Sequence, residues 1–274
     1  MTRIVRFLFC ISLLLLFALS LQAAESAVVD LTILHVNDFH GHLLPKPGKE
    51  GRPGTGGMDR IAKMVSEERV ENPEGTLLLS AGDMFQGTPI SNLFQGKPVV
   101  EVMNRMGFDA MTVGNHEFDW GMDAFNELRA AASFPFLSAN IVDGKGGLLP
   151  GVKPYVVFRR KGLKIAVIGI TTPDTHYASK PGNLKGYRVI PAEQVLPETI
   201  EKLRKEGAGP VIVLSHLGLD EDRELASAVK GIDLIVGGHS HTEVKRPVVV
   251  GTTIIVQAGY YGQQVGDFRI SVDA

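Results

Sequence analysis

Cysteine is almost absent: the 274-residue chain has one, Cys10. It lies inside an apolar run over 7–21, too early in the chain to resemble a lipoprotein anchor. Arg3 and Arg6 precede that run, and Gln22, Ala23 and Ala24 follow it with small residues suited to cleavage before Glu25. Residues 1–24 therefore read as a secretory signal peptide. An uncleaved N-terminal anchor is the alternative, although the run is shorter than the ~20 apolar residues that a membrane span needs. Without residues 1–24 the chain has no cysteine, which excludes disulfides and thiolate metal ligands. The exported protein must then rest on its own core and draw any metal ligands from nitrogen and oxygen donors. The expected location is periplasmic or secreted.

Long apolar runs and an excess of charge are missing as well. After residue 24 no stretch is long and apolar enough to cross a bilayer, so no stable membrane insertion is expected once the signal is cleaved. The formal charge is −2 and becomes −4 when Arg3 and Arg6 leave. That mild acidity gives no basis for binding nucleic-acid backbones or anionic lipid. There is no internal repeat and no low-complexity block. The remaining segment, 25–274, reads as one domain, and it carries no signal for an oligomeric state.

What is present is an alternation of short β-branched runs with amphipathic stretches, the pattern of an α/β domain. Strands are expected at 30–37, 76–81, 110–113, 134–139, 154–160, 163–170, 210–215, 232–236, 252–257 and 265–272. Helices are expected at 57–71, 97–106, 121–132, 191–205 and 221–230. Arg160, Lys161 and Gly162 read as a hairpin turn with glycine at the tight position. Pro191 suits the first turn of a helix and Gly207 and Gly209 its exit, whereas Pro197 should kink or shorten that helix. The segments 45–56 and 173–187 have loop composition.

The unusual polar residues do not scatter. Asp38 and His40 follow the run 31–36, and Asp83 follows 77–79 through Ala81 and Gly82. Asn115 and His116 follow 111–113 through Gly114. His216 follows 211–214, and His239 and His241 follow 234–236 through Gly237 and Gly238. Each stands at the C-terminal end of an expected strand, where open α/β sheets bind their ligands. Two divalent cations a short distance apart need oxygen and imidazole donors with one shared ligand, and a carboxylate such as Asp83 is the natural bridge. Neutral Asn115 adds a ligand without adding charge. Glycines before Asp83, Asn115 and His239 let the backbone turn sharply. His239 and His241 would point to opposite sides of a regular strand, so joint ligation requires that the chain has left the strand there.

These motifs, in this order, resemble those of the calcineurin-like metallophosphoesterases: Asp38-Phe39-His40, Gly82-Asp83, Gly114-Asn115-His116-Glu117, His216, and Gly238-His239-Ser240-His241. The stretches GDMFQGTPISN (82–92) and GNHEFDWG (114–121) are similar to the 5′-nucleotidase and UDP-sugar hydrolase branch. The resemblance implies an α/β fold, a four-layer α-β-β-α sandwich of two mixed sheets with a dinuclear metal site at the strand C-terminal ends. It implies one metal held by Asp38, His40, Asp83 and His241, and a second held by Asp83, Asn115, His216 and His239. The ions would be Mn²⁺, Zn²⁺, Fe²⁺ or Co²⁺. His116 and Asp119 match the family's catalytic pair. The implied activity is hydrolysis of a small-molecule phosphate ester, foremost a 5′-nucleotide, by metal-activated hydroxide with His116 assisting the leaving group.

Each residue also has a plainer reading. His40 alone is a strand-end histidine, Asp83 a helix or turn residue, Asn115 a left-handed turn residue and His216 a core histidine. Glu117 and Asp119 read equally as acids opening the helix at 121. His35, His42 and His176 match no motif, with His42 best placed to line a cleft, and Arg60 reads as a solvated helix residue in preference to a phosphate-binding one. Three functions stay open: a phosphomonoesterase, a phosphodiester, pyrophosphate or UDP-sugar hydrolase or thiosulfohydrolase-like enzyme with the same site, and a metal-binding module without turnover. Members of the branch usually continue into a second, base-stacking domain, whereas this sequence stops at Ala274 after a final strand. Flat selectivity among nucleotides is the expectation that follows.

Overall fold

A computed structural model describes residues 28–48, 54–180, 182–184 and 186–273. The signal-peptide reading, Cys10 and part of the 45–56 loop lie outside the described residues. In chain order the first strands are β1 (Val28–Val36), β2 (Thr76–Ser80), β3 (Ala110–Thr112), β4 (Phe136–Leu137), β5 (Ile141–Asp143), β6 (Tyr155–Arg160) and β7 (Leu163–Thr171). They are followed by β8 (Tyr187–Val189), β9 (Val211–His216), β10 (Leu234–Gly237), β11 (Val248–Val250), β12 (Thr253–Val256) and β13 (Gly266–Asp273). The helices are α1 (Met58–Glu71), α2 (Pro89–Leu93), α3 (Lys97–Met106), α4 (Gly121–Ala131), α5 (Thr175–Ala178), α6 (Leu196–Lys205) and α7 (Leu219–Ala228).

The strands form two large sheets and one small one. The first large sheet has the order β13-β1-β2-β3-β4, and the second β11-β12-β10-β9-β7-β6. Both are mixed. β13 runs antiparallel to β1 with Val28 opposite Asp273, while β1, β2, β3 and β4 are parallel. In the second sheet β7, β9, β10 and β12 are parallel and the edge strands β6 and β11 are antiparallel.

Alternation along each strand separates the core into three layers. Leu31 and Ile33 of β1, Leu77 and Leu79 of β2, Ile212 and Leu214 of β9, and Leu234 and Val236 of β10 pack together between the sheets. The intervening residues Leu34, Leu78 and Met111 face α1, α3 and α4. Ile168, Val213 and Ile235 face α6 and α7. Strands buried on both faces read as continuous apolar runs, as Leu77, Leu78 and Leu79 do. Truncating a leucine of this kind to alanine costs about 2–5 kcal/mol.

The expected elements recur with shifts of a few residues, and two expectations are corrected. The helix expected over 191–205 is a short 3-10 turn, Ala192–Gln194, followed by α6. Pro197 sits in the first turn of α6 and starts it rather than kinking it, because the first turn does not use that N–H. The helix expected at 221–230 begins at Leu219, where Gly218 turns the chain with φ 113°. The short elements β5, β8, β11, α2 and α5 have no counterpart among the expected elements. At the β6–β7 hairpin, Lys161 and Gly162 both have positive φ, 47° and 85°, as a two-residue hairpin turn requires. No helix among the described residues is long and apolar enough to cross a membrane.

The parallel strands β1, β2 and β3 of one sheet and β9, β10 and β12 of the other end along one edge of the sandwich. The motif residues leave the sheets there.

Candidate metal centre

Beyond the strand ends the backbone takes an uncommon path. Asp38 (φ 48°), His40 (49°), Asp83 (53°), His239 (71°) and His241 (54°) all lie in the left-handed region, five of the eight non-glycine residues found there among the described residues. Asp and His tolerate this conformation better than most residues, yet it still carries strain that the surroundings must hold. Cross-loop hydrogen bonds do so. Asp38 N–H donates to Gly82 O (3.0 Å), His40 N–H to Asp83 O (3.0 Å) and Gly41 N–H to Met84 O (2.9 Å). His239 N–H donates to Asp38 Oδ2 at 2.9 Å, which ties the second sheet to the first. Gly114 is required for a different reason: a Cβ there would stand 2.3 Å from Asp83 Oδ1.

The turned loops assemble two clusters. One donor atom from each of Asp38, His40 and His241 lies within 4.8 Å of the others, and the same holds for Asp83, His216 and His239. The turn at Gly238 and the left-handed φ at His239 place the two histidines in different clusters, which answers the objection from strand geometry. Asp83, a member of the second cluster, also faces the first. Its Oδ2 is 3.1 Å from His216 Nε2 and 3.9 Å from His40 Nε2. Asn115 Oδ1 lies 3.2 Å from His216 Nε2. Asn115 is right-handed (φ −79°), which removes the left-handed turn reading.

The hydrogen bonds behind these donors show what the clusters fit. His216 Nδ1 donates to Ala81 O at 2.6 Å and His40 Nδ1 to Gln86 O at 2.8 Å. Each ring thus directs Nε2 inward. Inward-pointing Nε2 atoms then meet carboxylate and amide oxygens and, at 3.2 Å, His241 Nε2. Converging nitrogen and oxygen atoms of this kind need a proton or a cation among them, and the set suits divalent metal ions. Burial lowers the basicity of His40 and His239, leaving neutral imidazoles as metal ligation requires. Burial would raise the Asp83 carboxyl, but His216 beside it holds it far below the usual carboxylate range. Burial would likewise lower His216, yet the Asp83 carboxylate overrides this and raises it to about 10, so its Nε2 carries a proton that a bound cation would displace.

His116 and Asp119 lie beside the clusters as a pair. His116 Nδ1 is 2.7 Å from Asp119 Oδ2, and its ring centroid is 5.3 Å from that of His40. Burial lowers the imidazole, but the Asp119 hydrogen bond and the Asp83 charge outweigh it and raise His116 to about 9. Asn183 Nδ2 donates to Phe118 O (2.6 Å) and Asp119 O (3.1 Å), joining the 173–187 loop to this turn.

Three features escape a reading of the sequence. Glu117, which reads there as a helix-opening acid, is buried and accepts the N–H groups of Asp83 (3.0 Å), Met84 (2.8 Å) and Gly114 (2.7 Å). Asn183 is the second. The third is the aromatic pair Tyr260 and Tyr261: Tyr260 stacks on His241 at 5.1 Å, and Tyr261 stacks at 4.0 Å on His42, the histidine expected to line a cleft. The remaining unassigned residues lie apart from the clusters. His35 is buried against Gly266, Arg60 hydrogen-bonds to Gly54 O, and exposed His176 lies in α5.

With this geometry in place, similarity to known proteins is informative. Residues 31–243 match the calcineurin-like phosphoesterase family. A probable 5′-nucleotidase of Treponema pallidum (strain Nichols) is 35% identical over 271 residues, spanning 89% of this chain and 45% of that protein. A 5′-nucleotidase precursor from Thermus thermophilus superposes with a TM-score of 0.81 at 32% identity, covering 89% of this chain and 52% of that one. The NAD nucleotidase of Haemophilus influenzae gives a TM-score of 0.80 at 30% identity, covering 90% of this chain and 48% of that one. The chain spans about half the length of these relatives.

Proposed function

The chain belongs to the calcineurin-like phosphoesterase family, and from that premise we propose that it hydrolyses small phosphate esters, foremost 5′-nucleotides to nucleosides and phosphate, using two divalent metal ions. The observation that carries this reading is the pair of donor triads, with Asp83 of the second also facing His40 of the first. Asp38, His40, His241 and Asp83 would hold one ion, and Asp83, Asn115, His216 and His239 the other. Such ions, when bound, supply Lewis acidity that acidifies water and neutralises charge on a phosphoryl group. The nitrogen and oxygen donors suit Mn²⁺, Zn²⁺, Fe²⁺ or Co²⁺.

The remaining chemistry belongs to the chain. Asp119 Oδ2 engages His116 Nδ1, which fixes the ring and leaves the Nε2 proton for the departing alkoxide. Against the effect of burial, the hydrogen bond to Asp119 raises the basicity of His116, the direction a proton donor at neutral pH needs. Glu117 holds the two loops that carry Asp83 and Asn115 in one register. We further propose that residues 1–24 direct the domain, 25–274, to the periplasm or outside the cell.

Similarity to an NAD nucleotidase at 30% identity favours a second reading, cleavage of a pyrophosphate bond at the same site. A panel of AMP, GMP, UMP, NAD and p-nitrophenyl phosphate, with and without added Mn²⁺, tests both. The leading reading expects metal-dependent phosphate release from the monoesters. Turnover of NAD alone would replace it with the second, and no turnover of any member would refute both.

A further inference from the structure

The aromatic pair lies in the loop after β12, beside the first donor triad and at the strand ends where ligands gather. Its geometry is that of a corner. The Tyr260 ring is within 20° of parallel to His241, while Tyr261 stands at 84° to Tyr260 with centroids 4.7 Å apart. Tyr261 in turn stacks on His42 and meets His40 edge-on at 5.7 Å. His40 is the ring that also adjoins His116, so one histidine separates this corner from the proposed proton donor.

Core packing does not account for the corner. Tyr260 is 39% exposed, and it rims a polar cluster rather than joining any of the three apolar layers. The backbone makes a specific effort to hold it there. Tyr261 has φ 58°, a strained value for a bulky side chain, between Gly259 (69°) and Gly262 (61°). Tyr261 N–H donates to Asp38 O at 2.8 Å, so the aromatic loop is fastened to a loop carrying a candidate metal ligand.

We propose that Tyr260 and Tyr261 form a stacking subsite for a flat aromatic part of the leaving group, the base of a nucleoside or an aryl ring, on the same domain that holds the phosphate. This rests on the phosphoesterase reading above. Aromatic stacking tolerates every base because each has a π-face. The subsite therefore favours aromatic over non-aromatic esters without choosing among bases.

The test compares AMP with ribose 5-phosphate, which carries the same phosphate and sugar but no base. The wild-type protein prefers AMP. Tyr260→Ala lowers the ratio of the two kcat/KM values about 10-fold, chiefly through KM for AMP, and Tyr260→Phe, which keeps the ring, restores it. A ratio unmoved by Tyr260→Ala, or lowered equally by Tyr260→Phe, overturns the subsite while leaving phosphoester hydrolysis intact. Hydrolysis of neither compound overturns both. Adenosine and ribose as inhibitors of wild-type p-nitrophenyl phosphate hydrolysis provide a readout independent of folding of the variant. Adenosine inhibits at concentrations where ribose does not, and equal inhibition overturns the proposal.

Discussion

Glu117 and Asp83 are joined through the backbone: the Glu117 carboxylate accepts the Asp83 N–H at 3.0 Å from underneath the two donor clusters. The same carboxylate takes the N–H groups of Met84 and Gly114, so one side chain braces the two loops that carry Asp83 and Asn115. Burial raises its pKa to about 7, with the Asp83 charge adding to the effect.

Both Glu117 oxygens act as acceptors, so Glu117→Gln sets an NH₂ group against at least one backbone donor. The expected loss of stability is about 1–3 kcal/mol, the usual penalty of an unsatisfied buried group. Divalent-ion affinity should weaken with it, because the loop bearing Asp83 loses its brace. Denaturant midpoints and metal titrations check both. Unchanged values in both would remove the bracing role.

His35 gives a pH signature that is separate from the clusters. Burial depresses its pKa to about 4, with Asp267 opposing only in part. Between pH 6.5 and 4 the unfolded chain therefore takes up a proton that the folded chain refuses. This contribution to stability is present above pH 6.5 and is lost as pH falls toward 4. The loss is on the order of 3 kcal/mol at full effect. His35→Gln should flatten that slope. Urea denaturation of both proteins in chelator, at about pH 7 and about pH 4.5, measures it across the span between the two pKa values. Parallel losses would contradict the assignment.

Removing a proposed ligand and removing the proposed acid should have different consequences. His116→Ala is expected to retain metal while turnover falls roughly 10²–10⁴-fold, the range for lost general acid–base assistance. Asp83→Ala is expected to lose metal, since both clusters meet there. Elemental analysis beside steady-state rates separates the two. Equal metal loss in both variants would reassign His116.

The parts of this molecule that can be read from sequence are those whose signal is local. The runs that form β1, β2, β9 and β10 are apolar and end in polar residues, so both the strands and the residues at their ends are visible. β5, β8 and β11 are three residues each and all three include residues that are not buried, which leaves no pattern to detect. Glu117 resembles a helix-opening acid because its partners at Asp83 and Met84 lie 34 and 33 residues away in the chain. The pair Tyr260 and Tyr261 sits between Gly259 and Gly262 and looks like an ordinary turn. Its meaning depends on His42 and His241, which only the folded loops bring alongside.

A phosphoesterase in which two ions share Asp83 should respond stoichiometrically to metal. Mn²⁺ is returned to chelator-stripped protein, at protein concentrations above the dissociation constant, while phosphate release from AMP is followed. Activity is expected to rise with added ion and to stop rising at two equivalents per chain. Full activity at one equivalent, or activity that persists with none, would contradict the shared two-ion site.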